Sequence, residues 1–183
     1  MLAQEAAAQL GLRRVLLVPT GRAPHKEIVD DPGELTRLEM AELAAAGNDL
    51  LEVDRFEIDG TAGDSAPSYT VTTLEDLRRR RRRDSLFLLM GADVAASFGS
   101  WHQPERILEL AQPAIAARPG TVMDEAEAVL ERLGAAERTE VIRMPEIGVS
   151  STRIRRRVAQ SRPIRYLVPD PVLEFIEAQG LYS

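Results

Sequence analysis

Ser85-Leu86-Phe87-Leu88-Leu89-Met90, followed at once by Gly91-Ala92-Asp93, is the clearest strand signal in this chain of 183 residues. A short apolar run closed by a turn reads as a buried strand. Working backwards, Ser68 stands as cap of a helix running from about Tyr69 into the arginines 78–83. Working forwards, a short helical stretch follows Asp93, Trp101-His102-Gln103 interrupts it, and Pro104 opens a helix over 104–110. Pro113 to Arg118 is a strand ended by Pro119-Gly120, 123–133 a helix, 139–143 a strand and 150–159 a helix. Asp170-Pro171 caps and starts a last helix that Gly180 closes. At the other end, residues 2–10 read as helix up to Gly11. Arg13-Arg14-Val15-Leu16-Leu17-Val18-Pro19 is a continuous apolar strand, the pattern of burial on both faces. Residues 19–33 read as loop, 34–46 as amphipathic helix, Leu50 to Ile58 as containing a strand, and Asp59 to Pro67 as a small-residue loop.

Strands alternate with helices throughout, which requires an α/β fold, doubly wound around a mostly parallel sheet. Residues 1–183 read as one domain, with no repeat and no dividing linker. Ligands of such folds bind outside the C-terminal ends of the strands. The loops 19–26, 91–93, 118–120 and 144–152 all fall there. The chain begins inside a helix, so the first crossover lacks its first strand, and the strands at 15–18 and 85–90 are expected to lack a neighbour.

Composition sets wide bounds. Hydrophobic residues at 44% and charged residues at 28% are ordinary for a globular protein. Without cysteine, neither disulfides nor thiolate metal sites can form. The N-terminal residues lack the pattern of a signal peptide and no apolar run reaches membrane-spanning length, so a cytoplasmic protein without membrane partners is expected. The net charge is −6, yet Arg78 to Arg83 form an unbroken basic run and Arg153 to Arg157 hold four more arginines. The first run ends a helix, where cations complement the dipole, and no aromatics are interleaved for base stacking, so no nucleic-acid partner is expected.

Val149-Ser150-Ser151-Thr152-Arg153-Ile154-Arg155 carries the chemistry. Hydroxyl residues directly before a helix are natural cap and first-turn residues. A helix start offers free N–H groups and a positive dipole end, both of which favour an anion. Arg155 follows Ser151 by one turn on the same face, so hydroxyls, amides and a guanidinium converge as phosphate chemistry requires. An ordinary capped helix with a solvated basic face fits the same residues.

Taken together, the chain resembles the bacterial nicotinate-nucleotide adenylyltransferases of the HxGH-type nucleotidyltransferase superfamily. Residues 149–155 match the ISSTxIR phosphate signature, with Val149 for the usual Ile. Val18-Pro19 through Pro24-His25-Lys26 matches the VPxxxxPHK loop, and Ser68-Tyr69-Thr70 with Thr73-Leu74 matches SYTxxTL. Gly91-Ala92-Asp93 with Trp101, Ala117-Arg118-Pro119-Gly120, and Leu167-Val168-Pro169 through Gly180-Leu181-Tyr182 match three further segments in order. The family opens with a strand and GGTFDPxHxGH, whose histidines bind ATP phosphates and stabilise the transition state. Neither is found: His25 belongs to the PHK loop and His102 follows Trp101, so no catalytic residue of that motif is carried over.

The resemblance implies adenylyl transfer from ATP to nicotinate mononucleotide, with Mg²⁺ accompanying ATP. Ser150, Ser151, Thr152 and Arg155 would hold the ATP phosphates, with His25 and Lys26, the sole lysine, adding positive charge over them. Trp101, the sole tryptophan, would stack on the pyridine, while the backbone amides of Thr70 and His102 receive its carboxylate. Asp93 would meet ribose hydroxyls and Arg118 would face the nucleotide. No residue set for a protein-held metal is expected, and a homo-oligomer is compatible with everything above. Two alternatives stay open: a sister enzyme with another acceptor such as phosphopantetheine, and an inactive nucleotide-binding fragment. An in-frame upstream segment encoding a strand and GGTFDPxHxGH is expected, with the polypeptide as given poorly soluble and inactive.

Overall fold

The computed structural model describes residues 1–22, 31–61, 67–117, 123–145 and 148–183. In chain order the elements are α1 (Leu2–Leu10), β1 (Val15–Leu17), α2 (Glu34–Ala45), β2 (Leu51–Val53), α3 (Phe56–Thr61) and α4 (Thr70–Arg80). There follow β3 (Phe87–Gly91), α5 (Ala92–Ala96), a 3₁₀ turn (Phe98–Ser100), α6 (Pro104–Leu110) and β4 (Gln112–Ala117). The last are α7 (Asp124–Arg132), a 3₁₀ turn (Ala136–Arg138), β5 (Glu140–Arg143), α8 (Ser151–Ala159) and α9 (Asp170–Ala178). Among the described residues no helix is long and apolar enough to cross a membrane.

Every recorded strand pairing is parallel, as strand–helix alternation requires. The elements fall into two compact units, Met1–Arg13 with Ser68–Glu146 and Arg14–Pro67 with Ile147–Ser183. The first holds the sheet β3-β4-β5, in register Phe87↔Gln112 and Ala114↔Glu140. Helix α1 packs its Ala6 against Ala114 and Ile142, with Leu2, Leu10, Phe87 and Leu89 around them. Gln9 then bridges to the edge strand: its amide nitrogen donates to Arg143 O at 2.9 Å and its Oε1 accepts from Arg143 N at 2.9 Å. That pair of bonds satisfies main-chain groups an edge strand would otherwise leave open. Gly11 ends α1 in the left-handed region at φ 64, a conformation that costs glycine little.

The arginine run closes α4 as expected from the dipole, and its first members are structural. Arg78 donates from Nε to Leu110 O at 2.7 Å and from Nη1 to Asp84 O at 2.8 Å. Arg79 and Arg80 both pair with the buried carboxylate of Asp76.

The second unit holds the sheet β1-β2, in register Val15↔Leu51 through Leu17↔Val53. Its core is Ile164, Val172 and Ile176, packed by Met40 and Leu43 of α2 and Ile154 and Val158 of α8. Among the described residues β1 pairs only with β2 and β3 only with β4.

Three local expectations need correction. Residues 59–61 are not loop but the end of α3. Asp54 Oδ1 accepts the N–H of Phe56 at 3.0 Å, an Asx-type bond that starts a helical turn directly after β2. Ser68 is not the cap of α4, because the cap position is Tyr69, which makes no side-chain cap bond. Asp170 likewise lies in the first turn of α9, one position past the cap at Pro169.

Candidate functional site

In the first unit, the residues assigned to the pyridine nucleotide cluster at the starts of short helices. Gly91 ends β3 and Ala92 begins α5 without a break, which leaves Asp93 exposed in the first turn of α5. The 3₁₀ turn closes with Trp101 N bonded to Phe98 O at 3.1 Å, so Trp101 is fixed beside a buried phenylalanine. The two rings meet edge to face, centroids 5.4 Å apart at 60°, and Trp101 is half-buried rather than a core residue. This geometry is the favourable one for aromatic pairs.

His102 folds onto the start of α4. Its ring lies 4.4 Å from that of Tyr69 at a tilt of 34°, and Gln103 Nε2 stands 3.0 Å from its Nε2. Gln103 itself adopts φ 55, and Pro104 opens α6 immediately after it. The sequence assigned Thr70, Trp101 and His102 to one ligand. The structure brings Thr70's neighbour Tyr69 and His102 into ring contact across 33 residues of chain (102 − 69), with Trp101 adjacent. Among the described residues no partner takes the N–H of Thr70 or of His102. Thr70 is the first residue of α4, where a main-chain N–H has no intrahelical acceptor.

The second unit carries the phosphate stretch. Ser150 is the cap of α8, its Oγ accepting from Arg153 N at 3.2 Å. Ser151 and Thr152 are exposed in the first turn with no described hydrogen-bond partner for their hydroxyls. Arg155, one turn on, is half-buried. Ser150 therefore sets the helix start, while Ser151, Thr152 and Arg155 remain available to a ligand.

Tyr182 feels the charges of Arg155, Asp31 and Arg37. Burial pushes the Tyr182 phenol up; Arg155 and Arg37 pull it back and Asp31 adds to the push. Sequence reasoning did not single out Arg37 or Asp31. Arg37 donates from Nη2 to Thr20 O at 2.7 Å and Gly21 O at 2.8 Å, and pairs with Asp31 through Nη1. It thereby joins Thr20 and Gly21 to Asp31 through one side chain. Burial raises the Asp31 carboxyl, but the Arg37 guanidinium and the Gly33 N–H outweigh it and hold the group below its ordinary range. Nothing in a lone arginine on an amphipathic helix signals this, since its partners lie 6, 16 and 17 residues earlier. His25, Lys26 and Arg118 lie outside the described residues.

A parallel α/β chain with a hydroxyl-capped helix start, a neighbouring guanidinium and a separate aromatic–amide cluster has the parts of a nucleotidyltransferase. Residues 1–157 match the family described as cytidylyltransferase-like. A probable nicotinate-nucleotide adenylyltransferase of Roseiflexus sp. (strain RS-1) is 42% identical over 182 residues, 99% of this chain and 88% of the relative. A counterpart of the same name in Thermus thermophilus is 41% identical over 180 residues, 98% of this chain and 89% of that one. Among solved structures, Plasmodium falciparum nicotinic acid mononucleotide adenylyltransferase complexed with NaAD matches with a TM-score of 0.71 at 15% identity, covering 98% of this chain and 90% of that one. At that identity the likeness establishes the fold. The chain belongs to the cytidylyltransferase-like family and, within it, to the nicotinate-nucleotide adenylyltransferases.

Proposed function

We propose that the chain transfers the adenylyl group of ATP to nicotinate mononucleotide, giving nicotinate adenine dinucleotide and pyrophosphate. The observation that carries this reading is the aromatic–amide cluster of the first unit. There the ring of His102, next in sequence to the half-buried Trp101, lies against that of Tyr69, next to Thr70, and among the described residues the main-chain N–H groups of Thr70 and His102 have no partner. A flat heteroaromatic carboxylate matches that set: the ring stacks on Trp101 and the carboxylate accepts from the two amides. Asp93, exposed beyond β3, is suited to ribose hydroxyls, and Arg118 is assigned to the bound nucleotide.

In the reaction a phosphate oxygen of nicotinate mononucleotide attacks the α-phosphorus of ATP. The new P–O bond forms as the bond to pyrophosphate breaks, and no covalent enzyme intermediate is needed. The protein's task is alignment and neutralisation of the charge that builds on the phosphoryl oxygens. Ser151, Thr152, the α8 N-terminus and Arg155 would hold the triphosphate, with Ser150 capping the helix. His25 and Lys26 supply further positive charge to the same phosphates. Mg²⁺ is assigned to the substrate, as MgATP. The transition-state role of the HxGH histidines is not assigned to any residue of this sequence.

The test is product analysis by mass spectrometry after incubation with MgATP and either nicotinate mononucleotide or phosphopantetheine. Nicotinate adenine dinucleotide as the product supports the proposal. Adenylylated phosphopantetheine alone would favour the sister enzyme, and binding of both nucleotides without product the nucleotide-binding fragment.

A further inference from the structure

From Gly148 to Pro169 the chain carries Arg153, Arg155, Arg156, Arg157, Arg162 and Arg165 and no acidic residue, in a protein of net charge −6. The proposed reaction uses only Arg155. At 3.6 residues per turn, Arg153 and Arg157 sit roughly 120–160° around α8 from Ser151 and Arg155. On that far side α8 and the segment after it enclose a cleft of about 550 Å³, lined by Arg153, Arg157, Arg165 and Tyr166 over Val149 and Leu167. None of Ser150, Ser151, Thr152 or Arg155 lines it. Its volume is that of a site for a small organic ligand.

Main-chain carbonyls hold Arg153 and Arg157 in place. Arg153 Nη1 donates to Gly148 O at 2.7 Å, and Arg157 donates to Pro163 O from Nε at 3.0 Å and from Nη2 at 2.6 Å. A guanidinium has five N–H groups, so each retains free donors. Among the described residues no carboxylate forms an ion pair with Arg153, Arg157 or Arg165, whereas Arg79, Arg80 and Arg106 are all paired. A Cβ at position 148 would stand 3.2 Å from Arg153 Nη1, so a larger residue there would shift the guanidinium slightly.

Tyr166 adds a flat surface. It is 86% exposed, the largest exposure among the described exposed large hydrophobic residues. Its backbone is left-handed at φ 65, uncommon for a residue with a β-carbon, and Arg165 Cζ lies 5.5 Å from the ring centroid. Fixed guanidinium groups bind phosphate at low ordering cost, and an exposed ring flanked by a cation is a stacking platform for a base.

We propose that this cleft is a second binding site, for a small ligand of the nucleotide class, separate from the one that serves adenylyl transfer. Arg153 and Arg157 take the phosphoryl group, and the base lies on Tyr166 beside Arg165. The ligand chemistry is a phosphate joined to a flat ring, which inorganic phosphates share only in part.

Photolabelling with 8-azido-AMP, followed by trypsin and fragment sequencing, tests this directly, because the peptide Tyr166–Ser183 contains Tyr166 and Tyr182, which fragmentation separates. The expected result is label on Tyr166 that excess AMP removes. It persists in Arg155→Ala and disappears in the double variant Arg153→Ala, Arg157→Ala, which keeps the tryptic site at Arg165. Calorimetry on Arg155→Ala supplies the second readout: Tyr166→Ala should weaken AMP binding about tenfold, the scale of one lost stack, and leave pyrophosphate binding unchanged. Absence of AMP-sensitive label on Tyr166, or label that survives in the double variant, would overturn the proposal. So would equal loss of AMP and pyrophosphate in Tyr166→Ala.

Discussion

Replacing Arg37 by alanine removes one side chain that holds two distant points of the second unit. Its Nη2 bonds to Thr20 O and Gly21 O at 2.7 and 2.8 Å, and its Nη1 pairs with Asp31. The side chain is only 18% exposed, and of its two carbonyl bonds the one to Gly21 O is partly buried while the one to Thr20 O is exposed and contributes less. Hydrogen bonds to a charged donor contribute about 1.5–3 kcal/mol each. The Asp31 partner is 38% exposed and adds little beyond that. One offset works the other way, because Arg37 Nε is buried without a described partner and its removal relieves that cost. The net loss expected is roughly 3 kcal/mol, which at a urea dependence of about 2 kcal/mol per M moves the unfolding midpoint of this unit by roughly 1.5 M. Arg37→Lys should recover only part, since an ammonium cannot reach two carbonyls and a carboxylate as a planar fork does. Asp31 gives the pH dependence. Its folded-state pKa is lowered, so its contribution is present above the unfolded value of about 3.9 and disappears as pH falls through the lower folded value. The gap between wild type and Arg37→Ala should therefore narrow in acid below about pH 4. A midpoint shift under 0.3 M (about a fifth of that expected), or a gap that widens in acid, would refute this account of Arg37.

Other predictions are as specific. Arg155→Ala should lower kcat/KM for dinucleotide formation by about 2–4 kcal/mol equivalent, whereas the exposed Arg156→Ala should leave it near wild type; similar losses would show that the helix face does not matter. Ser150→Ala should cost about 1 kcal/mol in thermal unfolding through loss of the cap bond to Arg153 N, and Ser150→Thr should retain most of it. Trp101→Ala should weaken nicotinate mononucleotide by about 1–3 kcal/mol, measured by equilibrium dialysis, and leave ATP affinity nearly unchanged; equal losses for the two ligands would make Trp101 a structural residue.

Much of the fold is legible from local chemistry. Pro104 at the first position of α6 and the left-handed glycines after α1 and α9 act through their own backbone constraints, and all stand where the sequence places them. The same holds for Ser150, whose cap bond closes over three residues. Where the reading fails, the cause is a contact the local pattern does not contain. Helix α3 is too short to show a period, and its start depends on one bond from Asp54. The contact between Tyr69 and His102 and the reach of Arg37 to Thr20 join residues distant in sequence, and no spacing rule announces them. Tyr166 shows the limit most plainly: its left-handed backbone and exposure follow from how the chain turns after Ile164, not from its neighbours' identities.

The central claim is recognition of a pyridine carboxylate on Trp101 by the N–H groups of Thr70 and His102. Because Trp101 is the sole tryptophan, its fluorescence reports that site alone, and titrations with nicotinate and nicotinamide mononucleotides can be compared directly. Saturable quenching by both, with the nicotinate form tighter by about tenfold or more, is the predicted result, since only a carboxylate accepts charge-assisted bonds from both amides. Equal affinities, or no response to the nicotinate form, would contradict it.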